Sequence, residues 1–359
     1  MKTALGLMSG TSLDGIDAAV IVSDGKQMLQ MGPGISIAYE PVFRDTLRAC
    51  LGNETPPADV ERELTEYHAG VVEKLLGDNG IDKSDIDLIG FHGHTVAHRP
   101  DKRLTVQMGD GALLAELTGI DVVADFRSND VANGGEGAPF APLYHEALVR
   151  GQGLDVPLAV LNLGGVSNVT YIGGPLKAQL IAFDCGPGNA LIDDWMAEHT
   201  GLAMDEGGAL ARDGNVDEVR LAALLDNDYF QATPPKSLDR DDFDVTVMEG
   251  CSTADGAATL SRFTVAAVAL ARQHFPNPAR RWLVTGGGRH NGTLMAMLAD
   301  ILEAPVDAVE AVGWDGDMIE AQAFGFLAVR SSMGLPLSLP TTTGVPEPLT
   351  GGKLFNWRA

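Results

Sequence analysis

LGLMSGTSLDGIDAAVIV, residues 5–22, decides how the rest of the chain is read. An apolar run enters, small and polar residues interrupt it, and a second apolar run leaves. The pattern predicts a buried strand, a turn and a second buried strand. Gly10 permits backbone angles that other residues avoid and lets the main chain approach a ligand closely. Successive amides around Gly10, Thr11 and Ser12 can form an anion-binding concavity with hydroxyl donors beside it. Asp14 and Asp17 cannot hold a phosphate, but they could hold a magnesium ion or its waters. An ordinary hairpin would use the same residues, because Gly and Asp are common in turns.

The theme returns about 150 residues later in DVPLAVLNLGGVSNVTYIGG, where Gly164, Gly165 and Ser167 sit between two buried runs. A doubly wound nucleotide fold sends its first glycine turn into a helix, whereas both of these turns lead into a strand. VTGGGRHNG, residues 284–292, adds a triple glycine between a strand and a helix, which could carry a flat base or a ribose against the backbone. No P-loop lysine motif is present. The remaining pattern is mixed α/β. Residues 32–43 read as a third strand, and Val60, Leu64, Tyr67, Val71 and Leu75 recur at helical spacing with a stop at Gly77. The Gly- and Pro-rich stretch around residues 130–141 reads as the crossing into a second domain. The expected division is therefore 1–133, joined by the tail 336–359, and 134–335.

The bulk composition narrows the partners. With 49 acidic and 25 basic residues the formal charge is −24. That surface repels nucleic acid and anionic membranes. Three scattered cysteines, Cys50, Cys185 and Cys251, form neither a disulfide framework nor a thiolate metal motif. No apolar run approaches membrane-spanning length. A reduced cytoplasm is the expected location.

Four further features carry candidate chemistry. In FDCGPGN, Asp184 ends an apolar strand and is followed by a turn that starts a helix, which suits a general base or, equally, a turn or capping aspartate. In FHGHTVAHRP, His92 and His94 form an HxH with His98 nearby, the start of a metal-dependent hydrolase site if later strands supplied more ligands. The other histidines, His145, His199, His274 and His290, lie in apparent helices or loops. Arg127, after VVADF, could neutralise an anionic group. Glu320 opens the last long helix, where an acid also suits the helix dipole.

GLMSGTSLDGIDAA, GFHGHTVAHRP, DFRSNDVANGGEGAP, LNLGGVSNVT, AFDCGPGNALID, PPKS, VTGGGRHN and EAQAFGFLAVR occur in that order over nearly the whole chain. Together they resemble the anhydro-N-acetylmuramic acid kinases, within the sugar kinase, Hsp70 and actin superfamily. The resemblance implies two RNase H-like α/β domains around a nucleotide cleft, a cytoplasmic homodimer, ATP and Mg²⁺. It implies hydrolytic opening of 1,6-anhydro-N-acetylmuramic acid, released in cell-wall turnover, with phosphorylation of O6. Asp184 becomes the catalytic base. The ATP contacts become Gly10, Thr11, Ser12, Leu13, Asp14, Gly15, Ile16, Asp17, Asn162, Gly164, Gly165, Gly286, Gly287 and Asn291. The sugar contacts become His92, Arg127, Asn189 and Glu320. The chain departs from the usual pattern at His94 and Glu136, where glutamine is common, and at Cys185, where threonine is common. PPKSLDRDDFD also lacks the threonine–glycine that usually follows the serine. Two other readings stand beside the kinase: a metal-dependent hydrolase built on His92 and His94, and a nucleotide-binding module that changes shape without turnover.

Overall fold

The structure, a computed structural model, describes residues 1–10, 13–174, 179–238, 240 and 242–358. The chain divides into two compact units, residues 1–154 with 317–359, and residues 155–316.

The first unit is built on a seven-stranded sheet. The opening hairpin is β1 (Lys2–Ser9) and β2 (Gly15–Ser23), extended by β3 (Met28–Ala38). Chain reversal after β3 comes earlier than expected, because Pro41 starts α1 (Pro41–Cys50). The amphipathic stretch forms α2 (Ala58–Asn79), which runs past Gly77 and stops at Gly80, whose φ of 62° suits a left-handed cap. Strands β4 (Leu88–Arg99), β5 (Leu104–Met108) and β6 (Val122–Ala124) follow, with α3 (Gly111–Thr118) before β6. After β6 come α4 (Ser128–Ala132) and α5 (Pro142–Gly151).

The second unit carries β7 (Leu158–Leu163), β8 (Val166–Ile172) and β9 (Leu180–Pro187), then α6 (Ala190–Thr200), α7 (Ala209–Asp213), α8 (Glu218–Leu225) and α9 (Thr253–Ala271). It closes with β10 (Trp282–Thr285), α10 (Gly292–Leu302) and β11 (Val306–Ala308). The chain then returns to the first unit through α11 (Ile319–Ser332) and β12 (Lys353–Phe355).

The two sheets share one plan. In the first, β3-β2-β1 are antiparallel neighbours and β1-β4-β6 run parallel. In the second, β9-β8-β7 are antiparallel and β7-β10-β11 run parallel. This is the RNase H-like order expected of both halves. β12 and β5 are additions to the first sheet.

The unit boundaries lie 21 residues later and 19 residues earlier than the sequence suggested, at 154/155 and 316/317 against 133/134 and 335/336. Packing explains the shift. α11 is buried along almost its whole length and lies on β1, β2 and β4. Two glycines let it come that close: a Cβ on Gly6 would stand 1.7 Å from the Ala321 carbonyl oxygen, and one on Gly90 2.2 Å from that of Phe324. α5 is tied to α11 by the Tyr144 hydroxyl, which donates to Gln322 Oε1 at 2.7 Å inside the core.

Candidate active site

In the first unit, strand alternation sorts the polar residues by face. Leu5, Leu7, Ile16, Ala18 and Phe91 enter the core on the α2 side. Gly6 and Met8 face α11 instead. A two-residue step along β1, from Leu7 to Ser9, matches a three-residue step along β4, from Phe91 to His94. The extra residue is a β-bulge, with Gly93 at φ 72°. It sends the two histidines of HxH to opposite faces. His94 meets Ser9 Oγ at 2.9 Å, on the α2 side, and Ser9 Oγ also meets the Tyr39 hydroxyl at 2.6 Å. His92 packs on Phe324 of α11, ring centroids 4.4 Å apart. The pair cannot converge on one ion, so the hydrolase reading loses its first two ligands.

His92 is paired with Arg127. The arginine Nε–H donates to His92 Nε2 at 3.0 Å, so the ring proton sits on Nδ1 and is donated to the Gly93 carbonyl at 2.9 Å. Burial, reinforced by the Arg127 charge, holds His92 well below the ordinary histidine range. It is a neutral ring in a fixed tautomer. Arg127 also donates to the Gly137 carbonyl at 2.7 Å and lies against the Phe140 and Phe324 rings. Glu320 stands one turn before Phe324 on the same face of α11. His92 and Arg127 are thus grouped on the α11 side, against the ring that Glu320 precedes by one turn. His92 also lines a cavity of about 280 Å³ where β5 and β6 part along β4, with Thr105, Gln107, Asp125 and Ser128 in its wall.

The opening turn itself closes tightly. Leu13 is left-handed at φ 62° and its N–H donates to the Gly10 carbonyl at 3.1 Å. Leu13 and Ile16 bury their side chains in the core, and Gly15 begins β2 hard against β3. Asp14 is exposed, and Asp17 Oδ1 accepts from the Ser36 hydroxyl at 2.5 Å. Thr11 and Ser12 lie outside the described residues.

In the second unit the ladder lines up a row. Thr285 pairs with Asn162, Asn162 with Asn168, and Asn168 with Asp184. Their strand neighbours Leu161, Leu163, Val169, Phe183 and Cys185 fill the core, so alternation turns all four polar residues to the other face. β9 continues to Pro187, which places Asp184 inside the strand rather than at its end. Its carboxylate does not cap α6; it is 7% exposed, and Oδ2 accepts from the Leu238 N–H at 2.9 Å.

The second glycine turn is bound to the helix that follows β9. The Gly164 carbonyl accepts from Asn189 N–H, and the Gly165 carbonyl from those of Gly188 and Ala190. Asn189 Nδ2 donates to the Leu163 carbonyl at 2.9 Å. The triple glycine crosses above: a Cβ on Gly286 would lie 2.3 Å from Asn162 Oδ1, and one on Gly287 3.8 Å from Asn189 Nδ2. Arg289 fixes this crossing by donating to Glu310 and to the Gly286 carbonyl. Asn162, Gly164, Gly165, Asn189, Gly286 and Gly287 therefore form one group. Asn291 is used locally, its Oδ1 capping α10 through the amides of Thr293 and Leu294.

Sequence reasoning gave no role to Asn168, Lys236 and Leu238, although they lie in quoted motifs, and passed over Tyr229. Asn168 carried a signal: it mirrors Asn162 across a two-glycine turn, and period-two alternation puts both on one face. The others reach Asp184 through a long excursion, whose spacing carries no signal; PPKS marked Lys236 only as part of a family motif.

The profile of the family described as Anhydro-N-acetylmuramic acid kinase matches residues 2–356. The anhydro-N-acetylmuramic acid kinase of Rhodospirillum rubrum is 56% identical over 356 residues, covering 97% of this chain and 93% of the relative. That of Paramagnetospirillum magneticum is 54% identical over 353 residues, covering 98% of each. Among solved structures, component A of the Acidaminococcus fermentans (R)-2-hydroxyglutaryl-CoA dehydratase aligns over 92% of this chain and 99% of its own, at 13% identity and a TM-score of 0.47.

Proposed function

Because the chain belongs to the anhydro-N-acetylmuramic acid kinase family, we propose that it opens the ring of 1,6-anhydro-N-acetylmuramic acid with water and phosphorylates O6 from ATP. The products are N-acetylmuramic acid 6-phosphate and ADP. The observation that carries this reading is the full-length match at over half identity.

In this reading Asp184 is the base. Water attacks the anomeric carbon and gives its proton to the Asp184 carboxylate. The new bond is C1–O(water); the bond that breaks is C1 to the bridging oxygen, which keeps the electron pair and becomes O6. O6 attacks the γ-phosphorus, and the bond to the ADP oxygen breaks. Phosphoryl transfer asks a protein mainly for position and charge neutralisation. The nucleotide is assigned, from the family resemblance, to the opening turn in the first unit and to Gly164, Gly165, Gly286 and Gly287 in the second. The same resemblance assigns sugar contacts to His92, Arg127 and Glu320 of the first unit and to Asn189 of the second. Arg127, with its guanidinium carbon 5.3 Å from the Phe140 ring centre and 5.8 Å from that of Phe324, suits the lactyl carboxylate.

Asp14, which is exposed, and Asp17, whose Oδ1 accepts from Ser36, are the carboxylates of the opening turn that would hold magnesium or its waters. Mg²⁺ takes one or two carboxylates and completes its shell with phosphate oxygens and water. When bound it neutralises phosphate charge. The three cysteines are free, and among the described residues no helix is long and apolar enough to cross a membrane. Both accord with a cytoplasmic enzyme. The homodimer rests on the family resemblance and is tested by light scattering of the eluting protein.

The purified protein, given ATP, Mg²⁺ and the anhydro sugar, should release one ADP per ring opened and essentially none without sugar. ADP release that ignores the sugar would leave the nucleotide-binding module as the better reading.

A further inference from the structure

The excursion between α8 and α9 holds Asp184 at three separate atoms. The Tyr229 hydroxyl donates to the Asp184 carbonyl at 2.6 Å. The Asp184 N–H donates to the Lys236 carbonyl at 3.1 Å. The Leu238 N–H donates to Asp184 Oδ2 at 2.9 Å. The two halves of the excursion are then joined to each other. Lys236 Nζ donates to the Tyr229 carbonyl at 2.7 Å and stands 4.2 Å from the centre of the Tyr229 ring.

The base of the excursion is fixed in turn. Asn227 caps the short turn through the Tyr229 amide, and Gln273 Nε2 donates to the Phe230 carbonyl. Phe230 is buried among Phe243 and Phe263. Lys236 is itself half-buried, and burial lowers its pKa from the ordinary lysine range. Placing a lysine there costs desolvation, and its observed contacts are to Tyr229 and the Phe183 ring.

We propose that residues 227–238 are a strap that sets the direction of the Asp184 carboxylate, with Tyr229 and Lys236 as positioning residues. The inference rests on Asp184 being the base. An aspartate side chain has two torsions, and the sheet fixes only the backbone. The Leu238 amide selects the carboxylate orientation, and that amide is only as well placed as the loop carrying it. Lys236 closes the loop on Tyr229. Displacing a reacting group by about 1 Å can cost about 10²-fold in rate.

The test uses Tyr229→Phe, Lys236→Met and Asp184→Asn, each alone, and Tyr229→Phe combined with Asp184→Asn. Tyr229→Phe keeps the ring beneath Lys236 and removes only the hydroxyl. The expected result is a kcat lowered about 10-fold by Tyr229→Phe and about 10- to 100-fold by Lys236→Met, with KM for both substrates within about twofold. Lys236→Arg should recover part of the loss. In the Asp184→Asn background, Tyr229→Phe should change the residual rate by less than about twofold, since nothing remains to orient. Full kcat in both strap variants alongside an inactive Asp184→Asn would overturn the strap and leave the base intact. An equal further loss in the double variant would also overturn it, because the hydroxyl would then act elsewhere. Near-normal Asp184→Asn turnover would remove the base itself, and the strap with it.

Discussion

The hairpins β1–β2 and β7–β8 open sheets that share one five-strand core order, yet they are finished differently. In the first, the last cross-strand pair before the turn is Met8 with Asp17, and the tip between them carries a tight turn closed on Gly10. In the second, the ladder continues to Leu163 with Ser167, and the two glycines hand their carbonyls to the start of α6. The first turn leaves carboxylates at its edge, Asp14 and Asp17. The second sits beside a row of neutral amides ending in one buried acid, Asp184. Around them the contrast continues. The first unit groups a cation, Arg127, with a histidine kept neutral; the second groups Asp184 with a loop that holds it. A shared sheet thus fixes where side chains stand, while the segments threaded between the common strands decide what they do. Those segments are 125–140 in the first unit and 227–238 in the second.

The sharpest break of this contrast is to remove the acid from the second unit. Asp184→Asn keeps the side-chain shape and an oxygen for the Leu238 amide, so thermal unfolding should hardly change. The kcat should fall by about 10² to 10⁴, the usual value of general-base assistance. Steady-state kinetics with the anhydro sugar measures it. A variant retaining near-normal kcat would assign the chemistry to some other group.

Next in size is the cation of the first unit. Arg127→Lys keeps the charge but loses the fork that serves His92 and the Gly137 carbonyl together. Hydrogen bonds to charged groups are worth about 1.5–3 kcal/mol. KM for the sugar should rise about 10- to 100-fold, with KM for ATP within about twofold. An equal rise in both would move Arg127 from sugar recognition to general support of the unit.

A third change tests the scaffold alone. Gly6→Ala would drive a methyl into the Ala321 carbonyl, 1.7 Å away. The obstacle is backbone, so no rotamer relieves it. Overpacking of this kind costs about 1–3 kcal/mol, visible as a lower urea midpoint. An unchanged midpoint would mean that α11 shifts freely on the sheet.

The sheets and both hairpins were legible because buried runs, glycine turns and amphipathic spacing are local signals. The return of α11 to the first unit was not. Its sequence, IEAQAFGFLAV, is apolar almost all round, which says buried without saying against what. The partners that admit it, Gly6 and Gly90, look like ordinary strand residues until the helix is placed over them. His92 and His94 were visible as a pair, but their separation depends on the Gly93 bulge, and a positive φ cannot be read from spacing. Asp184 was found by its motif, while its backbone and amide partners lie more than 40 residues further on. Asn291 was read as a ligand residue from the same glycine motif, although Asn before an apolar run is also a strong N-cap signal.

The smallest expected effect concerns the buried histidines of the first unit. Burial pushes His94 and His68 down to about 4, and His145 to about 3, against about 6.5 in the unfolded chain. Above pH 6.5 neither state is protonated at these sites, so they have no effect on stability. As pH falls below 6.5 the unfolded chain takes up protons that the folded chain refuses, and stability drops by about 1.4 kcal/mol per pH unit for each ring until its folded pKa is reached. Between pH 7.5 and 5 one such ring costs about 2 kcal/mol. His94→Gln removes one ring and leaves an amide within reach of Ser9. At pH 7.5 the variant should unfold within about 1 kcal/mol of the parent. At pH 5 it should have gained about 2 kcal/mol relative to it. Urea midpoints across that range decide the matter: parallel curves would mean that His94 takes up its proton in the folded protein as readily as in the unfolded one, and that the Ser9–His94 contact is open to water.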